Sequence, residues 1–528
     1  MQNRSVFFLI AGAFFGHACS GGYGPQPTGN AGSSGLGRAG TYGTAGAAGG
    51  AAGTAAGGTG GTIVDTAGTG GGGRGGTAAA GTGGGTGGVP TAGTGGTLSP
   101  VNPPSCDAIG TEPTIPQACA TVLATKTIVG TEPSDETLDS DAINAAFTAC
   151  PVGQSVRLAT DGDKTAFVAA GIVLKAGVSL WLDAGTTLFL SRDPKDSDAL
   201  TGSLKCGGNN TGTGTCKPLI QIAAPMNSGV FGTGTIDGRG GEVVTGGTSS
   251  WWDLENADDG NLSAPRLVQV NAGTNFILYN VTLKNAPKFH VSIDGTVGFQ
   301  VWGITINTPA NSPNTDGVDP SRTKNGVIAY TKISTGDDNI AVKGAGPAVV
   351  DGLIVAHNHF GRGHGMSIGS ETNGGVRNVS VCDLSLDGTD NGLRIKSDSS
   401  KGGLVQGIAY SDVCIRNSRH PLVFDPYYTS STGTLIPDFR DITVSNVHVL
   451  GSGGGNTFRG WDAAHPLGIT LSNVVYDVEP TTITASYANV VFGPQPVTIK
   501  PAGTSVSVTD QVTGSDPPHN CDNAWVNF

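Results

Sequence analysis

The sequence predicts an all-β fold, a right-handed parallel β-helix with a short capping helix at its N-terminal end. Short Val/Ile/Leu-rich runs separated by Gly, Asn and Asp recur along the chain, as in GVIAYTKIS and GITLSNVVYDV, and this pattern is typical of strands. A β-propeller blade needs four strands in about 40–50 residues, whereas these shorter repeats hold two or three. Comparable strand starts recur roughly every 23 to 34 residues, near Asn280, Gly303, Val327, Leu353, Asn378, Gly407, Asp441 and Gly468.

Residues 1–19 have the pattern of an export signal. Arg4 precedes an apolar stretch, Val6 to Phe15, that is too short for a stable membrane-spanning helix. Cys19 follows in the place where a bacterial lipoprotein carries its lipidated cysteine, although Gly16 stands where a Leu-like residue is usual. We therefore expect an exported bacterial protein, either extracellular or an outer cell-surface lipoprotein, and the sequence leaves the lipidation of Cys19 open.

Residues 20–104 are expected to form a disordered tether, and residues 105–528 the β-helix domain. The tether consists of Gly, Ala, Thr and Ser with almost no large apolar side chain, so burial cannot offset the entropy cost of ordering it. The formal charge of −12 and the lack of a Lys/Arg run argue against nucleic-acid binding. We expect a monomer.

One helix is expected at the start of the domain, over Ser140–Cys150. Ser140 or Asp141 is the predicted N-cap, and Ile143 and Phe147 share one face of the helix. This helix would cap the open end of the coil stack, which every solenoid must cover. No further helix is expected after it.

The cysteines predict disulfide bonds. Setting Cys19 aside leaves an even number, which suits an oxidising compartment, and no CxxC or Cys/His cluster indicates a zinc site. Cys206 and Cys216 flank a Gly/Thr/Asn loop and are the pair we predict first, while the other pairings stay open. The eight are Cys106, Cys119, Cys150, Cys206, Cys216, Cys382, Cys414 and Cys521.

Polar residues interrupt the strand pattern at about the coil period. Each has an ordinary interpretation as a turn residue, a solvated loop or a surface charge pair. Their recurrence at roughly 21, 27 and 30 residues instead predicts that they stack on one face of the coils. The interrupting residues are Asp316, Asp337 with Asp338, His364, and Arg394 with Lys396.

This set of side chains fits the cleavage of an acidic polysaccharide. Three carboxylates held close together repel one another, so ionising all of them costs free energy. Glycoside hydrolysis uses a protonated acid beside an ionised base. Arg394 and Lys396 could bind the carboxylate of an acidic sugar. Because neighbouring strand residues face opposite sides, Asp337 and Asp338 must lie at a strand end or a bulge, which Gly336 would permit.

At these motifs the sequence resembles the polygalacturonase family, glycoside hydrolase family 28. Further similarity lies in GTIDGRGG, in the Trp251-Trp252 pair and in LWLDAGTTLFLS, so the resemblance runs from about Pro113 to the C-terminal region. It implies a right-handed parallel β-helix and metal-independent, inverting hydrolysis of α-1,4-galacturonosyl bonds, with no cofactor. The motifs, in the family's order, are Asn314-Thr315-Asp316, Asp337-Asp338, Gly363-His364-Gly365 and Arg394-Ile395-Lys396.

The resemblance also implies roles for the catalytic residues. Asp337 is similar to the family's proton donor, and Asp316 with Asp338 to the carboxylates that activate water. His364 is similar to the supporting histidine that keeps the acid correctly protonated. Asn339 follows the aspartate pair where fungal endo-acting members often have Cys, and endo versus exo action stays open.

For the substrate, the resemblance implies that Arg394 and Lys396 bind the carboxylate of the sugar. A tyrosine after the RIK motif usually lines the cleft, and the sequence DPYY offers Tyr427 and Tyr428, of which the spacing favours Tyr428. The intact RIK favours galacturonate over the mixed rhamnogalacturonan backbone, while related pectic or xylose-decorated chains stay open.

Two other functions are compatible with a β-helix that carries an acidic row. A pectate lyase would use aspartates as Ca²⁺ ligands for an elimination reaction. A surface binder would recognise a glycan without turnover. The presence of GHG and RIK together with the aspartate pair argues against the lyase, and the convergent carboxylates argue against the binder.

Overall fold

The computed structural model describes residues 101–528 except 136, 200–204, 208–215, 258–261, 430 and 452–453. The predicted export signal, Cys19 and almost all of the predicted tether lie outside the described residues. Within the described part of the chain, no helix is long and apolar enough to cross a membrane.

The described residues form thirty strands and two α-helices, α1 (Ser140–Ala149) and α2 (Trp251–Ala257). The strands are β1 (Ala118–Leu123), β2 (Ser155–Ala159), β3 (Ala166–Ala169), β4 (Ile172–Leu174), β5 (Ser179–Leu182), β6 (Thr187–Leu190), β7 (Ile220–Ala223), β8 (Met226–Gly232), β9 (Thr235–Asp237), β10 (Val268–Asn271), β11 (Thr274–Tyr279), β12 (Thr282–Lys284), β13 (Val291–Asp294), β14 (Val297–Trp302), β15 (Thr305–Asn307), β16 (Val318–Ser321), β17 (Lys324–Ala329), β18 (Lys332–Ser334), β19 (Ile340–Val342), β20 (Val350–Phe360), β21 (Met366–Ile368), β22 (Val376–Asp387), β23 (Asn391–Lys396), β24 (Leu404–Arg416), β25 (His420–Asp425), β26 (Asp438–Leu450), β27 (Gly455–Arg459), β28 (Leu467–Tyr476), β29 (Thr482–Phe492) and β30 (Thr504–Asp510).

Parallel pairing arranges twenty-nine of these strands into three ladders, and β30 pairs with β29. The first joins β4, β7, β10, β13, β16, β19, β21, β23, β25, β27 and β29. The second runs through β1, β2, β5, β8, β11, β14 and β17 to the longer strands β20, β22, β24, β26 and β28. The third joins β3, β6, β9, β12, β15 and β18 to β20. The predicted parallel β-helix is therefore confirmed.

Alternation along the first ladder separates the core from the outer face. Its inward positions are in register and buried: Val268, Val291, Val318, Ile340, Met366, Leu393 and Leu422. The residue after each of these faces outward. Because adjacent parallel strands lie about 4.8 Å apart, polar residues of successive coils form one continuous row on that outer face.

The predicted capping helix is present as α1, which packs against β1, β2 and β4 at the N-terminal end of the stack. Ile143 and Phe147 are buried on one face, as the sequence predicts. The predicted N-cap is wrong, because Asp139 occupies that position. The Ser140 hydroxyl instead donates to the carbonyl of Ala170 (2.9 Å), which fastens the helix to the coil beneath it.

The expectation of no further helix is wrong, since α2 follows and a 3₁₀ turn forms at Pro194–Ser197. Ser250 and Asp253 cap α2 reciprocally. The Ser250 N–H donates to Asp253 Oδ2 (2.9 Å), and the Asp253 N–H donates to the Ser250 hydroxyl (3.1 Å). This Ser-x-x-Asp capping pattern could have been read from the sequence.

The described part of the chain contains four disulfide bonds, which fits an oxidising compartment. The pair predicted first, Cys206–Cys216, is present. Cys106–Cys382 fastens the N-terminal arm, residues 101–112, to the outer face of the second ladder. Contacts begin before the predicted domain boundary at 105, because the Asn102 N–H already donates to Asn378 Oδ1 (2.9 Å). The four bonds are Cys106–Cys382, Cys119–Cys150, Cys206–Cys216 and Cys414–Cys521.

Candidate active site

The residues that the sequence singles out converge on the first ladder. Three of them occupy the same position in successive coils, two residues before the first strand residue, because Asp316 precedes β16, Asp338 precedes β19 and His364 precedes β21. Arg394 and Lys396 lie in β23, one coil further on, and point outward from the same ladder. The coil period read from the sequence therefore brings all of these groups to one face.

Asp337 and Asp338 lie at the end of a turn, before β19, as their adjacency requires. Gly336 is needed there for close approach, since a Cβ at this position would lie 2.0 Å from the carbonyl oxygen of Ser312. The Gly336 N–H also donates to the Thr315 hydroxyl (3.1 Å). The turn of one coil is thus packed directly against the turn of the preceding coil.

Asp337 is the half-exposed member of the carboxylate cluster and contacts His364. Its Oδ1 lies 3.0 Å from His364 Nδ1 and accepts the Asp338 N–H (2.7 Å). Burial lowers the pKa of His364, but the hydrogen bond to Asp337 and the charges of both aspartates outweigh burial and leave that pKa raised. The histidine therefore carries positive charge beside Asp337 over a wider pH range than a free imidazole would.

Asp338 is buried, and both of its carboxylate oxygens accept hydrogen bonds. It accepts hydrogen bonds from the Ser367 hydroxyl (2.8 Å), Lys396 Nζ (2.8 Å) and the Arg394 guanidinium. Burial alone would raise its pKa, but the charges of Lys396 and Arg394 outweigh burial and lower the pKa far below its usual range. Asp338 is therefore ionised at every working pH.

Asp316 is also buried, and it shares one ammonium group with a second carboxylate. Lys343 Nζ lies 3.3 Å from Asp316 Oδ2 and 3.5 Å from Asp319 Oδ2. Burial and the charge of Asp319 raise the pKa of Asp316 well above its usual value, and burial and the charge of Asp338 raise the pKa of Asp319 to about 6. Two carboxylates with one cation leave a net buried negative charge, so this pair retains a proton up to near-neutral pH.

Tyr428 extends this face beyond the basic pair, and its ring is partly exposed. Lys396 Nζ lies 4.9 Å, and the Arg394 guanidinium carbon 6.0 Å, from the ring centroid. Tyr427 points elsewhere and stacks on Trp461 at 4.8 Å. Of the two tyrosines, Tyr428 is the one beside Arg394 and Lys396.

One group of side chains here has ligand atoms close enough for a metal ion. Single ligand atoms of Asp337, Asp338 and His364 lie within 4.8 Å of one another. The fit is poor, because both oxygens of Asp338 already accept hydrogen bonds from Arg394, Lys396 or Ser367. A cation would have to displace two positively charged donors.

Comparison with known proteins fits this geometry. The family model described as glycosyl hydrolases family 28 matches residues 197–492. A polygalacturonase of Ralstonia nicotianae is 43% identical over 424 residues, which is 69% of this chain and 79% of the relative. An endo-polygalacturonase of Pectobacterium parmentieri is 41% identical over 369 residues, which is 69% of this chain and 88% of the relative.

The chain belongs to glycosyl hydrolases family 28. It is therefore a glycoside hydrolase. Among solved structures, the polygalacturonase from Erwinia carotovora is 38% identical, with a TM-score of 0.67, and the match covers 72% of this chain and 98% of that one. The right hand predicted for the β-helix is the hand of these family 28 neighbours.

Three residues of the site were not singled out by the sequence patterns, although all lie within motif segments. Asp319 follows Asp316 in SPNTDGVDP, Lys343 is the next-to-last residue of STGDDNIAVKG, and Ser367 lies in GRGHGMSIGS. Each faces outward at the alternate position of its strand or just beyond it. Strand alternation, applied to the motif segments, was the signal that could have found them.

Proposed function

We propose that this family 28 hydrolase cleaves α-1,4-galacturonosyl bonds of polygalacturonate with inversion of configuration. The observation that carries the proposal is the convergence of one partly exposed aspartate, Asp337, with two buried ones, Asp316 and Asp338, on one face of adjacent coils. The pKa of Asp316 is raised by burial, and that of Asp338 is lowered by Lys396 and Arg394. Inverting glycoside hydrolysis uses one carboxyl group as the acid and carboxylates to activate water on the opposite face of the sugar, so a partly exposed Asp337 beside two buried aspartates fits this reaction. The names of the relatives supply the substrate class.

Asp337 is the proposed general acid. It is the least buried aspartate of the cluster, so it can reach a glycosidic oxygen in the cleft. Both of its contacts, with His364 Nδ1 and with the Asp338 N–H, involve Oδ1, which leaves Oδ2 to deliver the proton to the departing oxygen. His364 is the proposed positioning residue for this carboxyl group.

Asp316 and Asp338 are the proposed water-activating pair. A carboxylate with a raised pKa accepts a proton from water more readily than an ordinary one, and this describes Asp316. Asp338, held by Ser367 and the two cations, is fixed in orientation and remains ionised. We assign Asp316 to remove the proton from the attacking water and Asp338 to orient that water.

Arg394, Lys396 and Tyr428 are the proposed substrate-binding residues on the C-terminal side. Each cation donates to Asp338, but a guanidinium has five N–H donors and an ammonium three, so donors remain for a sugar carboxylate. The partly exposed Tyr428 ring beside them offers a flat apolar surface for the sugar.

The test is reducing-sugar release from polygalacturonate in the presence of EDTA, for the wild type and for Asp337→Asn, with absorbance followed for unsaturated ends. General acids contribute about 10²- to 10⁴-fold to the rate, and we expect a loss of that order in the variant. Asp383→Asn is the matched control, because Asp383 also contacts a histidine, His357 (2.6 Å), but is exposed and away from the cluster.

Each rival function gives a distinct result. Calcium-dependent formation of an ultraviolet-absorbing product would identify a lyase. Binding without release of reducing ends, undiminished in Asp337→Asn, would identify a glycan binder. If the wild type and Asp337→Asn release reducing sugar at equal rates, Asp337 is not the general acid.

We also propose that the protein is exported as a monomer, either free outside the cell or held at the cell surface by a lipid anchor on Cys19. The disulfide bonds support an oxidising compartment, and the N-terminal sequence supports the anchor. Labelling of the exported protein with a radioactive fatty acid, lost in Cys19→Ser, is the expected result. Release of unlabelled wild type into the medium would exclude the anchor.

A further inference from the structure

The row of residues that contains Asp316 and Asp338 continues toward the N-terminal coils. Arg266 lies two residues before β10 and Phe289 two residues before β13, which is the position that Asp316 occupies before β16. The ladder β10–β13–β16 is in continuous register. Arg266 therefore stands two coils before Asp316 on the same face.

Phe289 links Arg266 to the acidic cluster. The Arg266 guanidinium carbon lies 5.2 Å, and Lys343 Nζ 5.1 Å, from the centroid of the Phe289 ring. Lys343 is the residue that contacts Asp316 and Asp319. A substrate that reaches Asp316 from the N-terminal side must therefore pass over Phe289 and beside Arg266.

The guanidinium of Arg266 is unusual among the cations of this face. Its Nε is buried without a hydrogen-bond partner, and its one described hydrogen bond joins NH1 to Gln269 Oε1 at 3.2 Å. No carboxylate within ion-pair distance of it is found in the described residues, whereas Lys288 pairs with Glu255 (3.2 Å). Burial lowers the pKa of Arg266, and the charges of the nearby carboxylates Asp319, Asp294 and Asp316 oppose this effect only in part.

A cavity of about 980 Å³ opens in front of these residues and is lined by Arg266, Phe289, Asp319 and Lys343 among others. It extends along the coils rather than into the core, because its lining comes from successive strands of the first ladder. Such a groove fits an extended chain. Its cationic group without a carboxylate partner fits one acidic substituent of that chain.

We propose that Arg266 binds the carboxylate of a galacturonosyl unit on the N-terminal-coil side of Asp316, so that the cleft holds acidic sugar on both sides of the bond that is cut. The inference rests on the proposed function. Arg394 and Lys396 lie two coils beyond Asp338, and Arg266 lies two coils before Asp316. Cationic groups thus lie at equal distances in coils on both sides of the catalytic aspartates. The cleft therefore binds sugar units on both sides of the cleaved bond and not only one end of the polysaccharide.

The decisive variant is Arg266→Met, which keeps an apolar stem against Phe289 and removes the charge. Hydrogen bonds to charged groups contribute about 1.5–3 kcal/mol, so we expect KM for polygalacturonate to rise at least about tenfold with kcat little changed. Because the partly buried guanidinium has no carboxylate within ion-pair distance in the described residues, the thermal midpoint should stay equal or rise, which a purely structural arginine would not give. Arg266→Gln provides a second neutral variant.

The matched control is Arg157→Met, since Arg157 also lies over an aromatic ring, Trp181 at 4.8 Å, but on the second ladder. Its KM should equal that of the wild type. Arg266→Lys, which keeps the charge, should recover most of the binding.

Methyl-esterified oligogalacturonates supply the complementary change, since esterification removes the charge from the substrate. The wild type should bind the free acid better than the ester, and Arg266→Met should lose part of that preference. If the wild type has no activity on polygalacturonate, the proposed function itself is wrong. If the wild type is active but neither neutral variant changes KM or the preference for the free acid, Arg266 does not bind substrate. A lowered thermal midpoint with unchanged KM would likewise show that its role is structural.

Discussion

Replacing Lys343 with methionine should move the acid limb of the pH–rate profile to higher pH. Lys343 Nζ lies 3.3 Å from Asp316 and 3.5 Å from Asp319, and its charge lowers the pKa of both carboxyl groups. Removing the ammonium leaves two buried carboxylates facing each other. Their pKa values then rise further, so at a given acidic pH less of Asp316 is ionised to act as the base.

The size of the shift follows from the geometry. Two unit charges about 4 Å apart interact by about 4 kcal/mol at an effective dielectric constant of about 20, and one pKa unit corresponds to about 1.4 kcal/mol. This interaction would support a shift of up to about three units. Because the cation is divided between Asp316 and Asp319, we expect a shift of about one to three units.

The assay is kcat/KM on polygalacturonate across the acidic and neutral range, for the wild type, Lys343→Met and Lys332→Met. Lys332 lies exposed on β18 in the third ladder, so its replacement makes the same charge change away from the cluster. In Lys343→Met, kcat/KM should reach its maximum only at a higher pH than in the wild type. An acid limb that stays in place, or moves to lower pH, would refute the view that Lys343 sets the ionisation of Asp316.

Two further predictions concern the supports of the site. Gly336→Ala should reduce kcat by about 10²-fold, measured at saturating polygalacturonate, because a Cβ would collide with the Ser312 carbonyl and displace the turn that carries Asp337. An unchanged kcat would contradict this close approach. Replacing Cys106 and Cys382 together with serine should lower the free energy of unfolding in urea by about 2–4 kcal/mol and leave kcat/KM unchanged. A loss of activity would show that the arm on the second ladder is coupled to the cleft.

The fold could be predicted because its signals are local and periodic. A coil period of roughly 23 to 34 residues and alternating apolar runs specify a solenoid, and the ladders place Val268, Val291 and Val318 in the register that this pattern requires. The same period placed Asp316, Asp338 and His364 on one face. The start of α1 was harder, because the side chain of Asp139 at the N-cap accepts the Val168 N–H of the neighbouring coil instead of a helix N–H.

The partners of each charged group could not be predicted. Arg394 and Lys396 were expected to bind substrate, and the structure shows that both also contact Asp338. Lys343 was not singled out by the sequence, and its ammonium group lies between Asp316 and Asp319. Arg266 belongs to no motif, and only its buried Nε without a hydrogen-bond partner draws attention to it.

By itself, the sequence determined the β-helix, the family and the set of residues that share one face, because these depend on spacing along the chain. Only the tertiary structure decided which carboxyl groups are buried, which cation each one contacts and therefore the direction in which each pKa moves. The physical reason is that desolvation and ion pairing depend on distances of a few ångströms between coils. Residues 50 or more positions apart, such as Asp338 and Lys396, come to 2.8 Å only when the coils are stacked.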